Sequence, residues 1–133
     1  MINKTLREIS GEQFIAKKDA SPLEQWYGEL LGKTLDEISL ADVSRMLRQN
    51  VLPEIAIPKA INILSKDPFD GEFYDGELLK HLSDALSKST IEFDHSQLQS
   101  IVKKADSEKE SFDWGCEDDK RDFEMSLNKI RRI

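Results

Sequence analysis

Apolar positions recur at helical spacing along most of this chain, and nowhere with the two-residue alternation of a half-buried strand. The recurrence is densest over residues 35–86, where two helical patterns lead into a compact turn and a third leaves it. The turn, residues 67–77, holds Pro68, Gly71 and Gly76 together with Phe69 and Phe73. Glycines there permit unusual backbone angles, and the aromatics are expected to plug the core.

Ahead of the centre, residues 1–20 are weakly patterned, with Leu6 and Ile9 able to form one short turn after Thr5. Ser21 and Pro22 open the first clear helix. Glu24 completes a capping box, and Leu23, Trp26, Tyr27, Leu30 and Leu31 form its apolar face. Gly32 ends it. Thr34 to Ile38 read as a connector, and Ser39 caps a second helix carrying Leu40, Val43, Met46, Leu47 and Val51. Arg45 and Arg48 lie on its wet side. Pro53 interrupts, and Pro58 predicts a kinked or separate first turn for the third helix. Ala60, Ile61 and Leu64 form its inner face, and Asp67-Pro68 stops it.

Asp75 is the expected cap of a fourth helix with Leu78, Leu79, Leu82, Ala85 and Leu86 inside and Lys80 and His81 facing water. Asp94 caps a fifth helix, with Leu98, Ile101, Val102 and Ala105 inward. Phe112 and Trp114 read as anchors in a polar stretch. A last helix carries Phe123, Leu127 and Ile130, with acids at its start and Lys129, Arg131 and Arg132 at its end, as the helix dipole favours. The pattern predicts an all-α, compact, single-domain bundle of about five to six helices. Residues 1–20 form a weakly ordered lead-in, 21–86 the central part, and 94–133 the C-terminal helices with an acidic segment.

The 133 residues are enough for one core without staples. A formal net charge of −7 changes the picture further. It excludes the cationic footprint that nucleic acid requires and disfavours anionic membrane surfaces, while favouring a basic protein partner. The N-terminal stretch lacks the apolar region of a signal peptide, and no run approaches 18 apolar residues. The lone cysteine, Cys116, permits no internal disulfide and fits a reducing cytoplasm.

No chemistry emerges from the motifs. Calcium-loop registers starting at Asp67 or Asp70 fail, placing Phe69 at the third position or Tyr74 at the fifth and Asp75 at the sixth. Phosphate loops, nucleophile elbows and zinc spacings are absent. His81, His95 and Cys116 have no ligand-spaced partner, and no catalytic, metal or cofactor residue is assigned. An acid–base hydrolase built on Asp70, Glu72 and Asp75 would lack a nucleophile.

Charge is instead concentrated in two stretches. Residues 67–77 carry five acids and no base, and residues 106–124 carry nine acids against Lys109, Lys120 and Arg121. The rest of the chain is therefore net positive. The two anionic stretches supply the expected partner-binding residues: Asp70, Glu72, Asp113, Trp114, Glu117, Asp118, Asp119 and Asp122.

Several segments carry a resemblance. Pro22-Leu23-Glu24-Gln25-Trp26-Tyr27 comes first, then Leu35-Asp36-Glu37-Ile38 with Arg48-Gln49. Ile63-Leu64 follows, ahead of Asp67-Pro68, Gly71, Tyr74 and Gly76-Glu77-Leu78-Leu79. In this order they resemble the immunity proteins of bacterial contact-dependent growth inhibition systems, over about residues 20–86. The resemblance implies a non-enzymatic cytoplasmic antidote that binds the C-terminal toxin domain delivered by a neighbouring cell. Many such toxins are nucleases on tRNA or DNA, which suits an acidic antidote, expected to be monomeric when free. The shared residues then set the fold, and toxin contacts lie outside them. The alternative is a helical adaptor or regulator binding another basic protein.

Overall fold

A computed structural model describes residues 4–133; residues 1–3 of the lead-in lie outside the described residues. The backbone is all-α, with seven helices rather than five or six among the described residues: α1 (Leu6–Ser10), α2 (Pro22–Leu31), α3 (Leu40–Gln49), α4 (Pro53–Lys66), α5 (Glu77–Lys88), α6 (His95–Glu108) and α7 (Glu117–Arg131). The addition is α1, five residues held by a complete capping box between Thr5 and Glu8. The chain divides into two compact units, Met1–Asp42 and Val43–Ile133.

In the first unit α1 packs on α2. The Leu6 N–H donates to the Lys33 carbonyl at 2.8 Å, and Leu6, Leu30 and Leu31 are fully buried. Ser21 and Glu24 cap α2 reciprocally, as the spacing predicts. Leu23, expected on the apolar face, is instead exposed.

The buried hub of this unit is Asp42. Its carboxylate accepts from Trp26 Nε1 at 3.1 Å, from Lys33 Nζ at 2.7 Å and from the Ser39 N–H at 3.1 Å. The Ser39 hydroxyl in turn accepts from the Asp42 N–H. Burial pushes the Asp42 carboxyl upward, but the bonds from Lys33, Ser39 and Trp26 outweigh it and hold the group below the ordinary aspartate range. A carboxyl whose folded pKa is depressed adds stability above its unfolded pKa. That stability is lost as pH falls through the folded value. Asp42→Asn is therefore expected to cost about 2 kcal/mol at neutral pH. The gap to the parent should close in thermal melts as pH falls below the unfolded aspartate value. A gap that persists unchanged into strong acid would refute the role of the charge.

In the second unit α4 packs on α5 and α6, and α7 packs on α5 and α6. Each of the four helices thus has two neighbours, and the four close around a common core. Ile57, Ile61, Leu64, Leu78, Leu79, Leu82, Ile101, Phe123 and Leu127 fill it. Pro58 does not split α4: the helix runs unbroken from Pro53. Pro53 occupies the first helical position, where no N–H bond is forfeited. The bond lost at Pro58 is one turn in, at exposed Glu54. Packing of Ile55, Ala56 and Ile57, all buried, offsets that local cost. The Asp94 side chain caps α6 by accepting from the Gln97 N–H at 3.1 Å, as read from the sequence.

Candidate functional site: an acidic face built on four aromatic rings

The stretch between α4 and α5 is a tight loop held by its own backbone. The Gly76 N–H donates to the Phe69 carbonyl at 2.7 Å, and the Leu78 N–H to the Asp70 carbonyl at 3.2 Å. Asp75 is exposed and does not cap α5; Gly76 occupies that position in the left-handed region, with φ +86°, and no side chain caps the helix. The stabilising carboxylate belongs to Glu77 instead. Its Oε1 accepts from the N–H groups of Glu72 and Phe73, both at 2.9 Å, and the side chain is buried.

His81, one turn along α5, does not face water. Its side chain is only 14% exposed, with Nε2 3.5 Å from Glu77 Oε2. That distance permits charge attraction, but Nε2 makes no hydrogen bond. Burial depresses the His81 pKa, and the Glu77 charge opposes the shift without overcoming it. Lys80, also expected in water, is half-buried.

The two phenylalanines of the loop part company. Phe69 is buried, as expected of a core plug, whereas Phe73 is 72% exposed, which corrects that reading for it. The Phe69 ring centroid lies 4.2 Å from Phe112, 5.5 Å from Trp114 and 5.1 Å from Phe123. Phe112 and Phe123 contact Trp114 at 4.7 and 5.2 Å. Four rings from the loop, the α6–α7 connection and α7 therefore form one cluster. Trp114 Nε1 donates to the Lys109 carbonyl at 2.9 Å, so the indole's polar edge is also satisfied internally.

The cluster joins the two anionic stretches. Asp70 and Glu72 are half-buried on the loop side. Burial raises the Asp70 pKa; the Gly71 N–H bond opposes this, and the charges of Asp67 and Asp75 add to it. Glu72 lies 3.8 Å from Arg48, a partly exposed pair worth little. On the other side Asp113, Glu117 and Asp118 are exposed, and Asp119 and Asp122 half-buried. Glu117, Asp118 and Asp119 occupy the first turn of α7, where the helix dipole favours them. Asp118 pairs with Arg121 at 3.2 Å, and Lys120 with Glu110 at 2.9 Å. Among the described residues Asp113, Glu117, Asp119 and Asp122 have no ion-pair partner.

Among the described residues, no group of three or more histidine, cysteine, aspartate or glutamate side chains is placed to hold a metal ion. Cys116 is exposed at the N-cap of α7, and His95 is exposed and stacked on Phe93. A cavity of about 240 Å³ is lined by His95, Leu98, Gln99, Val102, Ile130 and Arg131, at the far end of α7 from the acids. Among the described residues no helix is long and apolar enough to cross a membrane.

A family model of CDI immunity proteins, those of contact-dependent growth inhibition, matches residues 3–101, and the chain belongs to this family. The match extends beyond the central segments that suggested it, into α6. No curated protein matches the chain. Membership carries toxin neutralisation as the general activity, through binding of a cognate toxin protein, in a family that is generally non-enzymatic. The segment from Asp106 onward, including α7, lies wholly beyond the matched residues.

The sequence shows the acids and marks Phe69, Phe112, Trp114 and Phe123 as core or anchor residues, but not that these four rings meet. Phe69 and Phe123 are separated by more than fifty positions, so no local pattern announces their contact. In the sequence Glu77 is one acid of the loop's anionic stretch and part of a family motif, and neither reveals that its side chain holds the loop.

Proposed function

We propose that this protein is a cytoplasmic, non-enzymatic antidote that neutralises a basic toxin domain, a nuclease acting on tRNA or DNA. It is a monomer when free and binds its toxin stoichiometrically through the acidic face around the four-ring cluster. One observation carries the reading: Phe69, Phe112, Trp114 and Phe123 unite two anionic stretches of a chain in the immunity family. A nuclease presents cationic surface to phosphates, and the acids compete for that surface. Specificity for one toxin belongs to residues outside the shared pattern, and most of the α6–α7 acids lie there.

The test uses the C-terminal domain encoded by the gene immediately upstream as the binding probe. Association with this protein is expected to slow as salt rises, because exposed charges are screened over about 8 Å at physiological ionic strength. Reversing Glu117, Asp118 and Asp119 to lysine should slow association about tenfold further. The melting temperature is measured alongside, since lysines at a helix start are themselves unfavourable. A triple variant that associates as fast as the parent, with the same salt dependence, would remove this segment from the interface.

A further inference from the structure

We infer that Phe73 is the anchor of toxin recognition, inserting into an apolar socket rimmed by lysine or arginine on the partner protein. This rests on the immunity reading above. The loop sorts its two phenylalanines, burying Phe69 in the four-ring cluster and leaving Phe73 72% exposed. The exposure is not that of a loose chain end. The Phe73 N–H is pinned to the buried Glu77 carboxylate at 2.9 Å, as is the neighbouring Glu72 N–H. Backbone bonds from Gly76 to Phe69 and from Leu78 to Asp70 close the loop on either side. The ring is therefore offered on a preformed backbone, so little ordering cost falls on binding.

Charge selects the occupant. Asp70, Glu72 and Asp75 flank Phe73 in sequence with no base between residues 67 and 77. Arg48 reaches Glu72 only at 3.8 Å. A second copy of this chain would bring the same acids against themselves, and nucleic acid would be repelled. A cationic protein surface with an apolar centre satisfies both the ring and its rim, the arrangement in which interface hot spots concentrate their energy. Trp114, the aromatic expected from the sequence to contact the partner, is already committed to its three ring neighbours and the Lys109 carbonyl.

The experiment measures binding of the upstream-encoded toxin domain to the full chain, the Phe73→Ala variant and the Phe73→Leu variant, with thermal melts of each. Phe73→Ala is expected to bind at least 30-fold more weakly, mainly through faster dissociation, with a melting temperature matching the parent. Phe73→Leu should recover part of the loss. If the parent binds and Phe73→Ala binds as tightly, Phe73 is not the anchor while the immunity reading stands. If the parent itself does not bind the domain, both fall.

Discussion

Replacing Gly71 by valine is expected to abolish the folded loop. A Cβ built there would fall on the Tyr74 carbonyl oxygen and lie 2.9 Å from Glu77 Cβ. Neither neighbour is the free end of a flexible side chain: one is backbone, and the other is the root of the buried carboxylate that holds the loop. Gly76 is required for two separate reasons. Its φ of +86° is unfavourable for any residue with a Cβ, and that Cβ would meet Phe123 Cδ1 at 2.7 Å. The backbone contribution is about 1–2 kcal/mol, and displacement of a fully packed ring adds about 1–3 kcal/mol. Each variant should therefore lose at least about 2 kcal/mol, seen as a melting temperature lower by roughly 6 °C or more. Gly115→Ala is the control, because nothing lies within 4 Å of its added methyl. Valine at Gly71 and Gly76 with melts matching the control would refute the close packing of the loop against α7.

The same loop marks where the sequence stopped being legible. Ser21, Ser39 and Asp94 were readable as caps because donor and acceptor lie three residues apart, and all three make those bonds. The core faces of α4, α5 and α7 were readable because a periodic apolar stripe has only one place to go. Asp75 misled for a local reason: its identity fits a cap, yet the left-handed Gly76 takes the position. Phe73 and Phe69 are the same residue type in the same loop, and only the fold decides which one enters the cluster. His81 read as a surface residue because its burial depends on its surroundings in the fold. For the candidate site, composition disclosed both acidic stretches, and the family pattern accounted for the loop's glycines. Their adjacency required the contact of Phe69 with Phe112, Trp114 and Phe123, which are distant along the chain.

Glu77→Ala is expected to couple stability to recognition. The buried carboxylate accepts the N–H groups of Glu72 and Phe73, and its removal leaves both donors without their protein partner. An unsatisfied buried donor costs about 1–3 kcal/mol, so the variant should lose about 2–4 kcal/mol, moderated by whatever water reaches the loop. Glu77→Gln keeps an oxygen able to accept one or both bonds and should lose less. The two substitutions also separate geometry from charge toward His81, whose Nε2 stands 3.5 Å away. Amide exchange gives the local readout: the Glu72 and Phe73 protons should exchange faster in Glu77→Ala than in Glu77→Gln, while protection in α6 changes only with global stability. If Phe73 must be held in place to bind, toxin affinity should fall in the same order as amide protection, even at temperatures where every variant is fully folded. Unchanged melting and unchanged exchange in Glu77→Ala would show that the backbone bonds from Gly76 and Leu78 hold the loop without the carboxylate. Faster exchange with unchanged toxin affinity would show that the loop's rigidity is a property of the fold and not of recognition.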